Sequence, residues 1–183
     1  MGVTKLLIKD IFIDTDCLSS FLWVGYENLL SQLYPGRLII PKPVYEEINR
    51  PVLSWMRVRV DSMINSGNLT MMELLFETKE FELYYKLTEK PDKGHKIIGN
   101  GEASSIALAV SRNGIVASNN FNDTLSYINE YSLEYTTTAD ILVDAYKRGI
   151  IDVAKGNFIW SKMLKKRRRL GASSFSDYLN NHL

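Results

Sequence analysis

Residues 11–18 read Ile11-Phe12-Ile13-Asp14-Thr15-Asp16-Cys17-Leu18. Three β-branched or aromatic residues run unbroken into a polar cluster, the pattern of a short strand buried on both faces. Such strands belong to parallel sheets covered by helices on both sides, because only there do successive residues on both faces escape water. Thr15 or Asp16 is placed to cap a helix from Leu18 to Leu22 or beyond. An acid at the carboxyl end of a buried strand also lies where open α/β sheets build their sites.

Working outward, Leu29, Leu30 and Leu33 continue a helical spacing, and Tyr34-Pro35-Gly36 is a turn. Leu38-Ile39-Ile40 is a second buried strand, followed by a helix over Val44 to Ile48 that Pro51 interrupts. Apolar residues from Val52 to Ile64 recur near helical period. After Ser66-Gly67-Asn68, Leu69 to Leu75 alternates like a strand. Residues 78–89 read as an amphipathic helix, Lys90 to Asn100 as a loop, and Ala103 to Val110 as a small-residue helix ended at Gly114. Ile115-Val116-Ala117 is a fourth strand. A helix near 121–130, a short strand near Glu134 to Thr136 and a helix over Ala139 to Lys147 follow, with Gly149 as its C-cap. Residues 151–183 are predicted helical, broken at Gly171. The expected fold is therefore α/β: one three-layer α/β/α domain over residues 1–150 with a mostly parallel, roughly five-stranded sheet, plus a helical C-terminal extension over 151–183.

Composition limits the alternatives. The chain has 183 residues, 45% of them apolar and 23% charged, which is ordinary globular usage and excludes a disordered chain. One cysteine, Cys17, forms no internal disulfide and no cysteine metal cage, and it suits a reducing cytoplasm. Lys5, Lys9 and Asp10 make the first ten residues too charged for a signal-peptide core, and Leu6 breaks the myristoylation pattern that Gly2 invites. No apolar run reaches the roughly 20 residues of a membrane helix. The expectation is a cytoplasmic protein without a membrane partner. A net charge of +1 provides no whole-molecule steering toward nucleic acid, so any such attraction must be local.

Several acids fall at or just beyond strand ends: Asp14, Glu46 and Glu47, Glu102, and then Asn119, Asn120 and Asp123. Carboxylates brought together repel unless they share protons or hold a cation. Hard oxygen donors with few histidines select Mg²⁺ or Mn²⁺ over Zn²⁺. Each residue also has a plainer role. Asp14 fits a helix cap, Glu102 and Asp123 fit first-turn acids favoured by the helix dipole, Glu46 or Glu47 fits a solvated helix face, and Asn119 and Asn120 fit a turn.

Four stretches together resemble the PIN-domain family of nucleases, which includes many bacterial and archaeal toxin ribonucleases. They are Phe12-Ile13-Asp14-Thr15-Asp16-Cys17-Leu18, then Ile40-Pro41-Lys42-Pro43-Val44-Tyr45-Glu46-Glu47-Ile48, then Gly101-Glu102-Ala103-Ser104-Ser105-Ile106-Ala107-Leu108-Ala109, and last Val116-Ala117-Ser118-Asn119-Asn120-Phe121-Asn122-Asp123. Order and spacing agree over roughly residues 8–150. The resemblance implies catalytic roles for Asp14, Glu47, Glu102 and Asp123, with Asp14, Glu102, Asn120 and Asp123 around Mg²⁺ or Mn²⁺ and Glu47 completing the shell or orienting water. The family usually has Asp at the position of Asn120, or Asn with another Asp three residues on, and here Asp123 stands behind Asn120. The implied reaction is hydrolysis of an RNA phosphodiester, leaving a 5′-phosphate and a 3′-hydroxyl. Implied partners are RNA, an antitoxin protein and a second copy of the chain. Two other readings stand beside it: a PIN-like domain that binds RNA or protein with little or no catalysis, and a phosphatase similar to the haloacid-dehalogenase type, with Asp14 as nucleophile and Asp16 as general acid.

The strongest local charge is Lys165-Lys166-Arg167-Arg168-Arg169, with Lys162 one turn earlier. Read as helical, these cations wrap around the helix, either as a phosphate-tracking patch for RNA or as a solvated helix end. His95 reads as a surface residue, and Trp23, Trp55 and Trp160 as core or interface.

Overall fold

The computed structural model describes residues 9–182. The N-terminal stretch considered for targeting signals lies, through residue 8, outside the described residues. In chain order the elements are β1 (Ile11–Ile13), α1 (Thr15–Val24), α2 (Glu27–Leu33), β2 (Leu38–Pro41), α3 (Lys42–Ile48), a 3-10 turn (Pro51–Leu53), α4 (Ser54–Asn65), β3 (Thr70–Met72), α5 (Lys79–Glu89), α6 (Asn100–Arg112), β4 (Ile115–Ala117), α7 (Phe121–Glu130), β5 (Glu134–Thr136), α8 (Thr138–Lys147), α9 (Val153–Lys165) and α10 (Phe175–His182).

The five strands form one sheet in the order β3-β2-β1-β4-β5, and every pairing is parallel. Phe12 aligns with Ile39 on one side and Val116 on the other. Successive residues alternate between two cores. Ile11, Ile13, Leu38, Ile40 and Ala117 face a core shared with α1, α2, α3, α4, α8, α9 and α10, while Phe12, Ile39 and Val116 face a core shared with α5, α6 and α7. This is the three-layer arrangement expected from the unbroken apolar runs, and it leaves β1 buried on both faces. Among the described residues, no helix is long and apolar enough to cross a membrane.

Local differences from the sequence reading have physical causes. Asp14, not Thr15 or Asp16, caps α1, accepting the Cys17 N–H at 2.7 Å. β3 keeps only three residues. It is an edge strand paired with β2 alone, and its outward residues lack the cover that would extend it. Pro51 opens a 3-10 turn, so the helix that follows starts at Ser54. The helix expected from Ala103 begins at Asn100.

The largest difference is at the basic run. α9 stops at Lys165, and Arg167 takes a left-handed backbone conformation with φ 58°. The N–H groups of Lys166, Arg167 and Arg168 turn back onto the carbonyls of Lys162, Met163 and Leu164. Lys166 to Arg169 therefore leave the helix as a strap. The tryptophans also divide. Trp160 is buried, donating to the Ala172 carbonyl at 3.2 Å, Trp23 is partly buried against the same core, and the more exposed Trp55 meets Trp23 edge to face, ring centroids 4.8 Å apart.

α9 and α10 are held together by a close approach. A Cβ on Gly156 would lie inside contact distance of the Phe175 ring, which is fully buried. Alanine normally favours a helix over glycine by about 1 kcal/mol. Here Gly156→Ala is expected to destabilise by about 1–3 kcal/mol through overpacking. Urea denaturation monitored by circular dichroism checks this, and a variant more stable than the parent would show that the two helices do not meet so closely.

Candidate active site at the carboxyl rim of the sheet

Parallel strands bring the ends of β1, β2 and β4 to one rim, and the helices that start there supply the side chains. Asp14 follows β1 directly and is 1% exposed. Its N–H donates to the Ala117 carbonyl at 3.0 Å, tying it to the end of β4. Oδ1 accepts the Cys17 N–H, while Oδ2 is buried with no hydrogen-bond partner among the described residues. Burial pushes the Asp14 carboxyl up to about 7, against the Cys17 N–H and the Ser118 hydroxyl, which favour its charged form. Glu102 and Asp16 add smaller repulsions in the same upward direction. The Ser118 hydroxyl, which accepts the Asn120 N–H at 3.1 Å, makes no well-formed bond to Oδ2.

Glu47, on α3, is fully engaged. It accepts the Thr15 hydroxyl and, at 3.0 Å, the Gly101 N–H in the first turn of α6. One carboxylate thus joins the starts of α1 and α6. The space is tight, because a Cβ on Gly101 would lie 2.9 Å from Glu47 Oε2 and 3.0 Å from Thr15 Oγ1. Glu46 points elsewhere and is exposed. Glu102 curls back over Gly99, where any Cβ would collide with Oε2.

Asn120 precedes α7. Its amide nitrogen donates to Glu102 Oε1 at 3.2 Å and to Asp123 Oδ2 at 2.8 Å. A partial positive charge therefore stands between two carboxylates that would otherwise repel. The first turns of α1, α6 and α7 all meet this rim, and their macrodipoles favour the negative charge gathered there. Asp14, Glu102, Asn120 and Asp123 are thus brought to one region, with Glu47 behind them as a brace between helices.

The donor set suits a hard divalent cation. It is all oxygen, and it includes a buried carboxylate oxygen with nothing to satisfy it. As the side chains stand, no three His, Cys, Asp or Glu groups among the described residues converge closely enough to hold an ion. The Asn120 amide accounts for part of this, since its N–H groups already occupy one oxygen of Glu102 and one of Asp123. Cys17, beside Asp14, is buried, and its thiol is pushed up by burial, so it stays neutral.

A second network lies next to the first. Asn119 donates to Thr138 Oγ1 at 2.9 Å and to Asp16 Oδ2 at 3.3 Å, and it accepts the Thr138 N–H at 2.9 Å. Arg168 reaches in from the strap to Asp16 Oδ1 at 3.1 Å and Ser19 Oγ at 3.4 Å. Lys162 donates to the Val24 carbonyl at 3.5 Å, and Lys165, Lys166, Arg167 and Arg169 are exposed. Arg169 borders a cleft of about 250 Å³ with Asn119, Thr137 and Tyr178. His95 is tied to Glu130 at 3.2 Å and stacks on Tyr127.

Sequence reading did not single out Thr15, Gly99 or Gly101 as parts of the site. Gly99-Asn100-Gly101 offered a weak signal: two glycines bracketing a helix start mark a close approach of other groups. The bond from Thr15 to Glu47 joins residues 32 apart and has no local sequence signature.

The chain matches the family described as PIN domain over residues 10–182. No curated protein matches it.

Asp14 makes a pH-dependent contribution to stability whose sign can be worked out. Unfolded, its carboxyl titrates near 3.8, and folded it holds its proton to about 7. Between those values the native state binds more protons. The stabilisation is therefore complete below about pH 4 and is lost as pH rises toward 7. Asn retains the capping oxygen without the charge. Asp14→Asn is expected to match the parent near pH 4 and to exceed it at pH 8 by on the order of 4 kcal/mol in chelator. Melting curves at both pH values check it, and an equal difference at both would mean that burial of the charge is not the cause.

Proposed function

The chain belongs to the PIN-domain family, and we propose that it is a divalent-metal-dependent endoribonuclease acting at the rim formed by Asp14, Glu102, Asn120 and Asp123. The observation that carries this reading is the unpartnered Asp14 Oδ2, a buried carboxylate oxygen within electrostatic reach of Glu102 and Asp16. Such an oxygen is costly to bury without a cation. The family supports a nuclease-type fold. RNA as substrate, Mg²⁺ or Mn²⁺ as the ion and a toxin–antitoxin setting belong to the proposal.

Asp14, Glu102 and Asp123 would hold the ion, with the Asn120 amide turning its oxygen toward it. A bound Mg²⁺ or Mn²⁺ supplies Lewis-acid stabilisation of phosphoryl oxygens and a more acidic water. The chain's own residues do the rest. Buried Asp14 is held in register by the Cys17 N–H and by its bond to β4, with its other oxygen unpartnered. Glu47 acts as a positioning residue: through Thr15 and the Gly101 N–H it sets the distance between α1, which follows Asp14, and α6, which carries Glu102. Glu102, resting over Gly99, faces Asp123 across the Asn120 amide. The ion pair of Arg168 with Asp16 supports a structural role for that carboxylate over the general-acid role a phosphatase would need.

A second reading is supported by one observation. Because the Asn120 amide already satisfies Glu102 and Asp123, the same rim suits a domain that binds RNA without cutting it.

Incubation of the full chain with single-stranded RNA and Mn²⁺ separates the two. Cleavage is expected, abolished by chelator and reduced about a hundredfold or more by Asp14→Asn and by Glu102→Gln. Asn120→Asp is expected to raise metal affinity by restoring a charge. RNA bound but intact under all these conditions would select the binding reading. Cleavage unaffected by either acid substitution would remove the rim from the mechanism altogether.

A thermal-shift series adds an independent readout. Mn²⁺ is expected to raise the melting temperature of the parent protein and not that of Glu102→Gln.

A further inference from the structure

The face shared by α1 and α9 carries an arrangement that neither the family nor the rim explains. Lys155 Nζ lies 4.8 Å from the Tyr26 ring centroid and 5.7 Å from that of Phe158. Lys162 Nζ lies 5.6 Å and 5.3 Å from the same two rings. Lys166 Nζ is 5.2 Å from Trp23, and Arg59 is 5.8 Å from Trp55, the edge-to-face neighbour of Trp23. Cations over aromatic faces occur about once per 70–80 residues, so two or three sites would be ordinary in a chain of this length. Here four cations and four rings share one surface.

The order of these groups along the helices is the second observation. α9 runs antiparallel to α1. Lys155, near its start, meets Tyr26 just beyond the end of α1. Lys162 bonds the Val24 carbonyl in the last turn of α1, and Arg168, past the end of α9, meets Asp16 and Ser19 in its first turns. The cation–ring pairs therefore sit at the C-terminal end of α1, around Trp23 and Tyr26, and Arg168 lies toward its start. Its rings stop at Trp23, and beyond them Arg168 carries positive charge on to Asp16, two residues from Asp14. Phe158 is 52% exposed, far more than packing requires of a ring. Of the acids nearby, Glu27 is paired with Arg59 at 3.0 Å and Asp16 with Arg168 at 3.1 Å, while Asp152 caps α9 through the Lys155 N–H.

We propose that the Tyr26–Phe158–Trp23 face of α1 and α9 binds single-stranded RNA and leads it to the acidic rim. Bases stack on Phe158, Tyr26 and Trp23, while Lys155, Lys162 and Lys166 neutralise the phosphates between them. The lysines now lying over the rings hold the places that phosphates would draw them from. The exposed Phe158 ring, with Tyr26 and Trp23 uncovered once the lysines move to phosphates, favours unpaired bases over a duplex, whose bases are stacked on one another and turn only their edges outward. The direction of the strand, toward the rim, rests on the endoribonuclease reading, whereas binding on this face does not.

The test uses the full chain carrying Glu102→Gln, in chelator, with a fluorescein-labelled single-stranded RNA of roughly twelve nucleotides. Anisotropy is expected to show that Phe158→Ala weakens binding about tenfold, the loss of one stacked base, and that Phe158→Trp restores it. Lys155→Ala with Lys162→Ala is expected to weaken binding further and to lower the slope of log affinity against log salt by about 0.7 per lysine. Lys147→Ala, in the last turn of α8, serves as the matched control and is expected to bind as the parent does. Binding unchanged in the Phe158 and lysine variants overturns the proposal, as does equal affinity for duplex RNA or equally strong competition by polyglutamate. If the parent cuts no RNA but these variants lose binding, the cleavage reading fails and the binding face stands. If the parent cuts RNA and the variants bind it unimpaired, the face is wrong and the rim stands.

Discussion

The parallel pairing of β1 with β2 on one side and β4 on the other constrains everything else in this chain. With three residues in each of β1 and β4 and four in β2, the strands are too short to tolerate a slip. A shift of one residue would exchange Phe12 and Ile13 between the two cores. Correct register places Asp14 against the end of β4, through its N–H to the Ala117 carbonyl, and so brings the first acid near the asparagines and Asp123. The rim is a consequence of strand direction before it is a consequence of any side chain.

Strand direction in turn divides the labour among the polar groups. Glu47 and Asn119 have all their geometry invested in joining elements, the first across α1, α3 and α6 and the second across β4, α1 and α8. Glu102 and Asp123 are partly satisfied, by one amide. Asp14 alone combines full burial with an unmet oxygen. A family motif gathers all of these residues under one heading, but their surroundings assign them different physical tasks: brace, tether, bridge and unsatisfied acceptor.

The parts legible in the sequence were those set by short-range patterns. Ile11 to Ile13 and Leu38 to Ile40 were continuous apolar runs, and both became central strands. Glu134 to Thr136 was found at its observed bounds. The acids of the rim were legible because each adjoins a strand end or a helix start. Less legible were contacts between residues remote in sequence. Nothing near Glu47 marks Thr15 and Gly101 as its partners, and nothing in Asn120 announces that its amide will bridge two acids. The basic run misled for a related reason. Its residues are good helix formers, and only the left-handed backbone at Arg167, stabilised by carbonyls of α9, turns them away from the helix. Trp23 and Trp160 are equally apolar letters, yet one lies partly buried under a lysine and the other in the core.

Arg168 meets Asp16 across 152 positions of chain. A polypeptide emerging from the ribosome grows from its N-terminus, and domains tend to fold in that order. Every acid of the rim, from Asp14 to Asp123, is therefore synthesised before the cation that faces Asp16. Asp16 is synthesised long before its counter-charge Arg168, and α9 and the strap arrive last. In this molecule the order of synthesis runs opposite to the order of electrostatic need, so the C-terminal segment acts as a late fastener whose arrival marks completion of the domain.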